Sequence, residues 1–193
     1  MSFEIILGIL LASIFSGNIA LIECLGTGAV LENERSSRRS LTLGLGTTLV
    51  MLISTLITWP LNEYVLVNVP YLQTMVFVLV VLVVVEVMHL VAKRILDNYC
   101  KSDFVKFAIN GAVLGICILN TQSEHNEYGF IGAIVTSVCV GIAFMLTMTV
   151  YAKLKDVPVD EKAIPAPFRG LPIALLTAGL MALAMMAIKF SIG

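Results

Sequence analysis

Three ionisable side chains, Glu23, Glu86 and His89, interrupt runs that are otherwise apolar. Glu86 follows the run Phe77–Val85, and His89 comes three residues later, on the same face of a helix. A carboxylate and an imidazole so spaced can share a proton or hold a cation. Glu23 stands alone, five residues after Asn18. In water none of this would be unusual. At the centre of a lipid-embedded helix a charge costs roughly 2.5–3.5 kcal/mol on insertion scales, and such residues mark ion or substrate paths. A competing role exists for each glutamate. Lys93 and Arg94 lie just beyond Glu86, and Arg35, Arg38 and Arg39 lie beyond Glu23, where a long basic side chain can neutralise it at the interface.

Two further pieces carry potential chemistry through the backbone. Ser16-Gly17-Asn18 and Ile109-Asn110-Gly111 each place an Asn–Gly pair inside an apolar stretch. Glycine loosens a helix, and the asparagine amide competes for its hydrogen bonds. Non-helical backbone at membrane depth persists only where protein or a cavity covers it. Matched interruptions in two halves of a chain point to a midplane site; the simpler alternative is close helix packing at small residues, the role expected of Gly44, Gly46, Gly132 and Gly141. The candidate ion or substrate path is therefore Asn18, Glu23, Glu86, His89 and Asn110. The four cysteines, Cys24, Cys100, Cys117 and Cys139, form no CxxC pair and no zinc spacing. Three of them sit in apolar stretches, where a thiol packs as a small hydrophobe.

The solvent that gives these residues their meaning follows from composition. Of 193 residues, 59% are hydrophobic and 13% charged, against about 25% charged in a soluble domain. Spanning helices need about 20 mostly apolar residues, and six stretches qualify or nearly so: Ile5–Val30, Leu41–Trp59, Leu72–Ala92, Phe104–Asn120, Phe130–Ala152 and Leu171–Phe190. The chain is expected to be an all-α membrane protein, a single membrane domain over residues 1–193. Its start lacks the basic region of a secretory signal, so the first stretch is expected to remain in the mature protein. A net charge of -1 offers nothing to nucleic acid, and the expected surroundings are lipid.

Lysine and arginine set the orientation. Connections one, three and five hold or adjoin all of them except Lys189, and the connections containing Glu63 and Glu124 hold none. Basic residues in short loops mark the cytoplasm, which puts both termini outside. Three spans per half then force the second half to enter from the opposite side, an inverted repeat of about 1–95 and 101–193 with broken helices 1 and 4.

Several stretches resemble a known family. The most specific is Pro165-Ala166-Pro167-Phe168-Arg169-Gly170-Leu171-Pro172-Ile173-Ala174-Leu175-Leu176-Thr177-Ala178-Gly179-Leu180-Met181. Others are Gly44-Leu45-Gly46-Thr47-Thr48, Tyr71-Leu72-Gln73-Thr74 and Asn110-Gly111-Ala112-Val113-Leu114-Gly115. In order and over essentially the whole chain they resemble the Rnf and Nqr membrane subunits (Rnf A and E, Nqr D and E), most like the Rnf A and Nqr E type. The resemblance implies an inner-membrane subunit, bacterial or archaeal, of an electron-transport complex that moves Na+ or H+. It also implies a homologous partner of inverted topology, further subunits carrying flavin and iron–sulfur groups, and a [2Fe–2S] cluster shared with the partner. The two cysteines that such subunits contribute correspond here to Gly28 and Gly111. Glycine supplies no thiolate, and clusters are held by thiolates, usually four, so the cluster is not expected. Cys24, one turn before Gly28, leaves a shifted ligand open, whereas Cys117 follows Gly111 by six residues and points elsewhere. No Rossmann glycines or P-loop occur, so the chain is at most a non-catalytic subunit of a translocase. The alternative is a cluster-less paralogue acting as a small-solute or ion transporter.

Overall fold

The structure, a computed structural model, describes residues 3–16, 18, 25, 28, 37–66, 69–95, 111–122, 129–155, 165 and 170–192. Six α-helices stand among the described residues. Helix α1 (Phe3–Leu11) runs on into a π-helical turn, Ala12–Ser16. Then come α2 (Ser37–Tyr64), a 3-10 turn at Pro70–Leu72 leading into α3 (Gln73–Ile95), α4 (Gly111–Gln122), α5 (Gly129–Lys155) and α6 (Leu171–Ile192). Among the described residues, four segments are long and apolar enough to cross a membrane: Leu43–Tyr64, Pro70–Val91, Gly129–Lys155 and Leu171–Ile188.

The leading helix of the first half is short. At 9 residues, α1 rises only about 14 Å at 1.5 Å per residue, against an apolar core of roughly 30 Å. Widening to a π turn ends the regular part of α1 just before Asn18, a change of helical type that often marks functional sites. Helix α4 is described from Gly111; the earlier part of the expected span Phe104–Asn120 lies outside the described residues.

The second stretch does not end at Trp59, as the sequence suggested, but continues through Pro60 to Tyr64. A proline forgoes one hydrogen bond, four residues back, and in membrane helices neighbouring groups make good the loss. The helical hydrogen bonding carries on beyond it, with Val65 N–H donating to the Leu61 carbonyl at 3.1 Å. Asn62 and Glu63 therefore ride on a helix rather than in a loop.

Helices α2 and α5 form the centre, antiparallel and closely packed. A Cβ added at Gly44 would lie 2.6 Å from Met145 Cγ and 3.0 Å from its Cα, and one at Gly141 would strike the side chain of Thr48. Toward the other end Trp59 meets Phe130, ring centroids 5.1 Å apart. The two glycine contacts mirror one another: Gly44 to Gly141 and Thr48 to Met145 are the same step of 97 residues. The same step carries every buried position of α2 between Ser40 and Thr55 onto a buried position of α5 between Ser137 and Ala152.

Each leading helix packs chiefly on the other half. The π turn after α1 lies against α5 and α6, and α4 lies against α2 and α3. Helix α6 is otherwise lightly held, with Leu175, Leu176, Leu180 and Leu183 all exposed, an arrangement suited to lipid rather than water. One tie is the fully buried Tyr151, whose hydroxyl donates to the Ala174 carbonyl at 3.0 Å. Tyr151→Phe removes that bond and is expected to lower stability by about 1 kcal/mol, read as a modest drop in the thermal unfolding midpoint in detergent.

Candidate functional site

Polar side chains collect at two buried nodes, one for each leading helix. At the first, Asn18 is 1% exposed. Its Nδ2 donates to the Ile14 carbonyl at 3.2 Å and to Thr147 Oγ1 at 2.8 Å. Thr147 in turn donates to the Ala143 carbonyl at 2.9 Å. The amide thus holds the end of the π turn to α5 across 129 positions of sequence. Ser13 donates to the Ile9 carbonyl one turn earlier.

The second node joins α2, α4 and α5. Asn120 Nδ2 donates to Ser137 Oγ at 2.8 Å and to the Ala133 carbonyl at 3.3 Å. Ser137 Oγ lies 2.8 Å from Thr55 Oγ1. Cys117 is fully buried, with the hydroxyls of Thr58 and Thr55 beside its thiol. Thr58 Oγ1 donates to the Ser54 carbonyl at 2.8 Å. Ser54 Oγ, fully buried, finds no hydrogen-bond partner among the described residues. Such an orphaned hydroxyl costs about 1–3 kcal/mol in desolvation. Beyond this node Gln73 Nε2 donates to Asn62 Oδ1 at 3.0 Å and to Thr121 Oγ1 at 3.1 Å, linking the ends of α2 and α4 to the start of α3.

The residues expected from sequence divide unevenly over this geometry. Asn18 is at the first node. Glu23, Cys24 and Asn110 lie outside the described residues. Glu86 is exposed on α3 and His89 half-buried; neither belongs to the two nodes. The hydroxyls of Ser54, Thr55 and Thr58 and the amide of Asn120 were missed. Their signal was present: Ser54, Thr55, Thr58 and Asn62 follow i, i+1, i+4, i+8 along one face of α2, and Cys117, Asn120 and Thr121 follow i, i+3, i+4 along α4.

Donor atoms decide whether a thiolate-held cluster fits. Gly28 is exposed, with nothing within 4 Å of an added Cβ, and Gly111 is exposed at the start of α4. Neither position has a ligand. The Cys117 thiol is buried beside Thr58 and Thr55, inside the fold rather than on the exposed side where Gly111 stands. Among the described residues no three His, Cys, Asp or Glu side chains group as metal ligands. Glycine offers no thiolate at positions 28 and 111, and Cys24, the shifted ligand left open by the sequence, lies outside the described residues.

Comparison with known proteins covers nearly the whole chain. The family described as "Rnf-Nqr subunit, membrane protein" matches residues 6–192. A relative from Sodalis glossinidius is 30% identical, over 91% of this chain and 92% of its own length. One from Edwardsiella ictaluri is 31% identical over 92% and 93%. A third, from Thioalkalivibrio sulfidiphilus, is 32% identical over 92% and 93%. All three are named as the A-type member of an ion-translocating oxidoreductase complex. With lipid-suited helices and a match over residues 6–192, this chain belongs to the Rnf-Nqr family of membrane subunits.

Proposed function

We propose that the chain is an integral inner-membrane subunit of an ion-translocating oxidoreductase assembly, working beside a homologous subunit of inverted topology. Partner subunits carry the flavin and iron–sulfur groups, and this chain contributes to the path by which electron flow drives Na+ or H+ across the membrane. The observation that carries the reading is the full-length family match, including relatives named as the A-type member of such a complex. The two halves are inverted repeats, a reading supported by the mirrored glycine contacts, by the 97-residue step between buried positions and by the leading helices that pack on opposite halves. Both termini face outward, as the basic connections indicate.

Within that assembly the chain supplies no thiolate at positions 28 and 111, so it contributes no ligand at those two places to a cluster shared with its partner. Isolation from native membranes under mild detergent tests both statements. The chain is expected to co-purify with flavin-bearing and iron–sulfur subunits. Once separated from them it is expected to carry no stoichiometric iron or acid-labile sulfide. Recovery alone or only as a self-association would reject the assembly and favour a small-solute transporter; a stoichiometric cluster in the separated chain would reject the loss of ligands.

A further inference from the structure

The second polar node continues toward the end of the bundle. Asn62, Gln73 and Thr121 form one layer at the ends of α2 and α4 and the start of α3. Thr58 and Cys117 form the next, and Thr55 and Ser54 lie one helical turn deeper. From Asn62 to Ser54 is eight residues along one face of α2, about 12 Å of rise. Ser54 stands midway along the candidate span Leu43–Tyr64. Hydroxyl, amide and thiol groups therefore recur as a file, at each turn from the end of the bundle to mid-depth, and the innermost oxygen is the fully buried one without a partner among the described residues.

We propose that this file is the outer half of a path for a monovalent alkali cation, with Ser54 as the innermost oxygen that receives it. Polar groups at membrane depth mark substrate and ion paths, and Na+ in membrane transporters is held by neutral oxygens, among them the carbonyls of helix ends. The charge pattern selects the sign of the passenger. The C-termini of α2 and α4 and the N-termini of α3 and α5 all lie at this end, so their dipoles largely offset one another and the side chains decide. Glu63 stands exposed beside Asn62. The connections on this side carry Glu124 and Glu127 and no lysine or arginine, so the mouth concentrates cations. Within the file the sole titratable group is the Cys117 thiol, which is a poor relay for protons and a soft, weak ligand for Na+. Oxygen donors dominate, which suits a hard cation. The proposal rests on the reading of this chain as an ion-translocating subunit and names the part of it that meets the ion.

Cys117 makes the file testable without any substitution. Silver ion is a monovalent cation that reacts with a thiol by replacing its proton, giving Cys–S–Ag and H+. Right-side-out and inside-out vesicles bearing the native assembly are exposed to Ag+ in nitrate media. The protein is then denatured, the remaining thiols alkylated, and each cysteine read separately by peptide mass spectrometry. Cys117 is expected to react from the outer side, and sodium nitrate is expected to slow the reaction where choline nitrate does not. Protection by a competing ligand grows as one plus its concentration over Kd, so Na+ at about ten times its Kd slows the reaction about tenfold. Cys139 is the internal control, buried on α5 two residues from Ser137 and so about 200° around that helix. Ser54→Ala is expected to weaken the Na+ protection at Cys117. An unreactive Cys117, reaction only from the inner side, equal rates in sodium and choline, or the same sodium effect at Cys139 would each overturn the path. Failure here with successful co-purification leaves the assembly standing; Na+ protection of Cys117 in a chain that purifies alone removes the assembly and keeps the path.

Discussion

Gly141→Leu is expected to cost the fold about 3 kcal/mol, the upper end of overpacking penalties, and to leave little properly folded protein in the membrane. At Gly141 an added Cβ already collides with the Thr48 side chain, and Thr48 is β-branched, with few rotamers to retreat into. Its hydroxyl is also engaged, donating to the Gly44 carbonyl at 2.8 Å. Three further carbons have nowhere to go between α2 and α5. Gly44→Leu is expected to do similar damage, since its Cβ would meet the Cβ and backbone Cα of Met145 at 2.9 and 3.0 Å, and backbone cannot swing aside. Gly179 on α6 is the control: a Cβ there meets nothing within 4 Å, so Gly179→Leu is expected to be close to neutral for the isolated chain. Monodisperse yield and thermal unfolding in detergent measure all three. Equal behaviour of Gly141→Leu and Gly179→Leu would mean that α2 and α5 do not approach each other as closely as the structure has them.

That central contact shows how far a sequence pattern reaches. Gly44 and Gly141 were legible as packing glycines because small residues let membrane helices approach. Which helix each would face was not legible, because composition sets the depth of a residue and not its neighbour. The long apolar helices α3, α5 and α6 follow their stretches to within three residues at each end, as hydropathy should when lipid is the solvent. Helix α2 outruns its apolar stretch through Pro60 to Tyr64, because a proline and a few polar residues end an apolar run without ending a helix in lipid. The short α1 was legible only as an interruption at Asn18, and Asn110 lies outside the described residues. The packing of α1 and α4 on opposite halves has no sequence signature at all, since it depends on the fold closing around them.

The candidate site was half legible for a related reason. Attention to charge singled out Glu86 and His89, yet Glu86 lies exposed on α3, away from both nodes. The buried polar groups are uncharged, Ser54, Thr55, Thr58, Asn120 and Ser137 among them. Serine and threonine in a membrane helix can satisfy themselves on the carbonyl three or four residues back, as Thr58 and Thr149 do. They therefore add little to a hydropathy profile and escape a search for costly residues. Only the spacing along one helix face distinguishes a polar file from scattered self-satisfied hydroxyls, and that spacing gains meaning once α4 is seen opposite α2.

Asn18→Asp separates the first node from a water-filled cavity. The two side chains are nearly the same size, so packing is unchanged and the effect is electrostatic. Asn18 Nδ2 donates to two oxygens, the Ile14 carbonyl and Thr147 Oγ1. A carboxylate oxygen in its place can accept from Thr147 if that hydroxyl turns away from the Ala143 carbonyl, but it faces Ile14 oxygen to oxygen. The charge, 1% exposed in the parent, adds roughly 2.5–3.5 kcal/mol on insertion scales. Asn18→Ala loses only the bonds, on average about 0.6 and at most about 1.7 kcal/mol for an interhelical hydrogen bond in a membrane. The isosteric variant is therefore expected to be the less stable of the two, in thermal unfolding at neutral pH. Acid is expected to narrow the gap, because a protonated carboxyl is neutral and regains a donor. A variant as stable as Asn18→Ala at every pH would show that water reaches position 18, and the break after α1 would then line an aqueous cavity instead of locking α1 to α5.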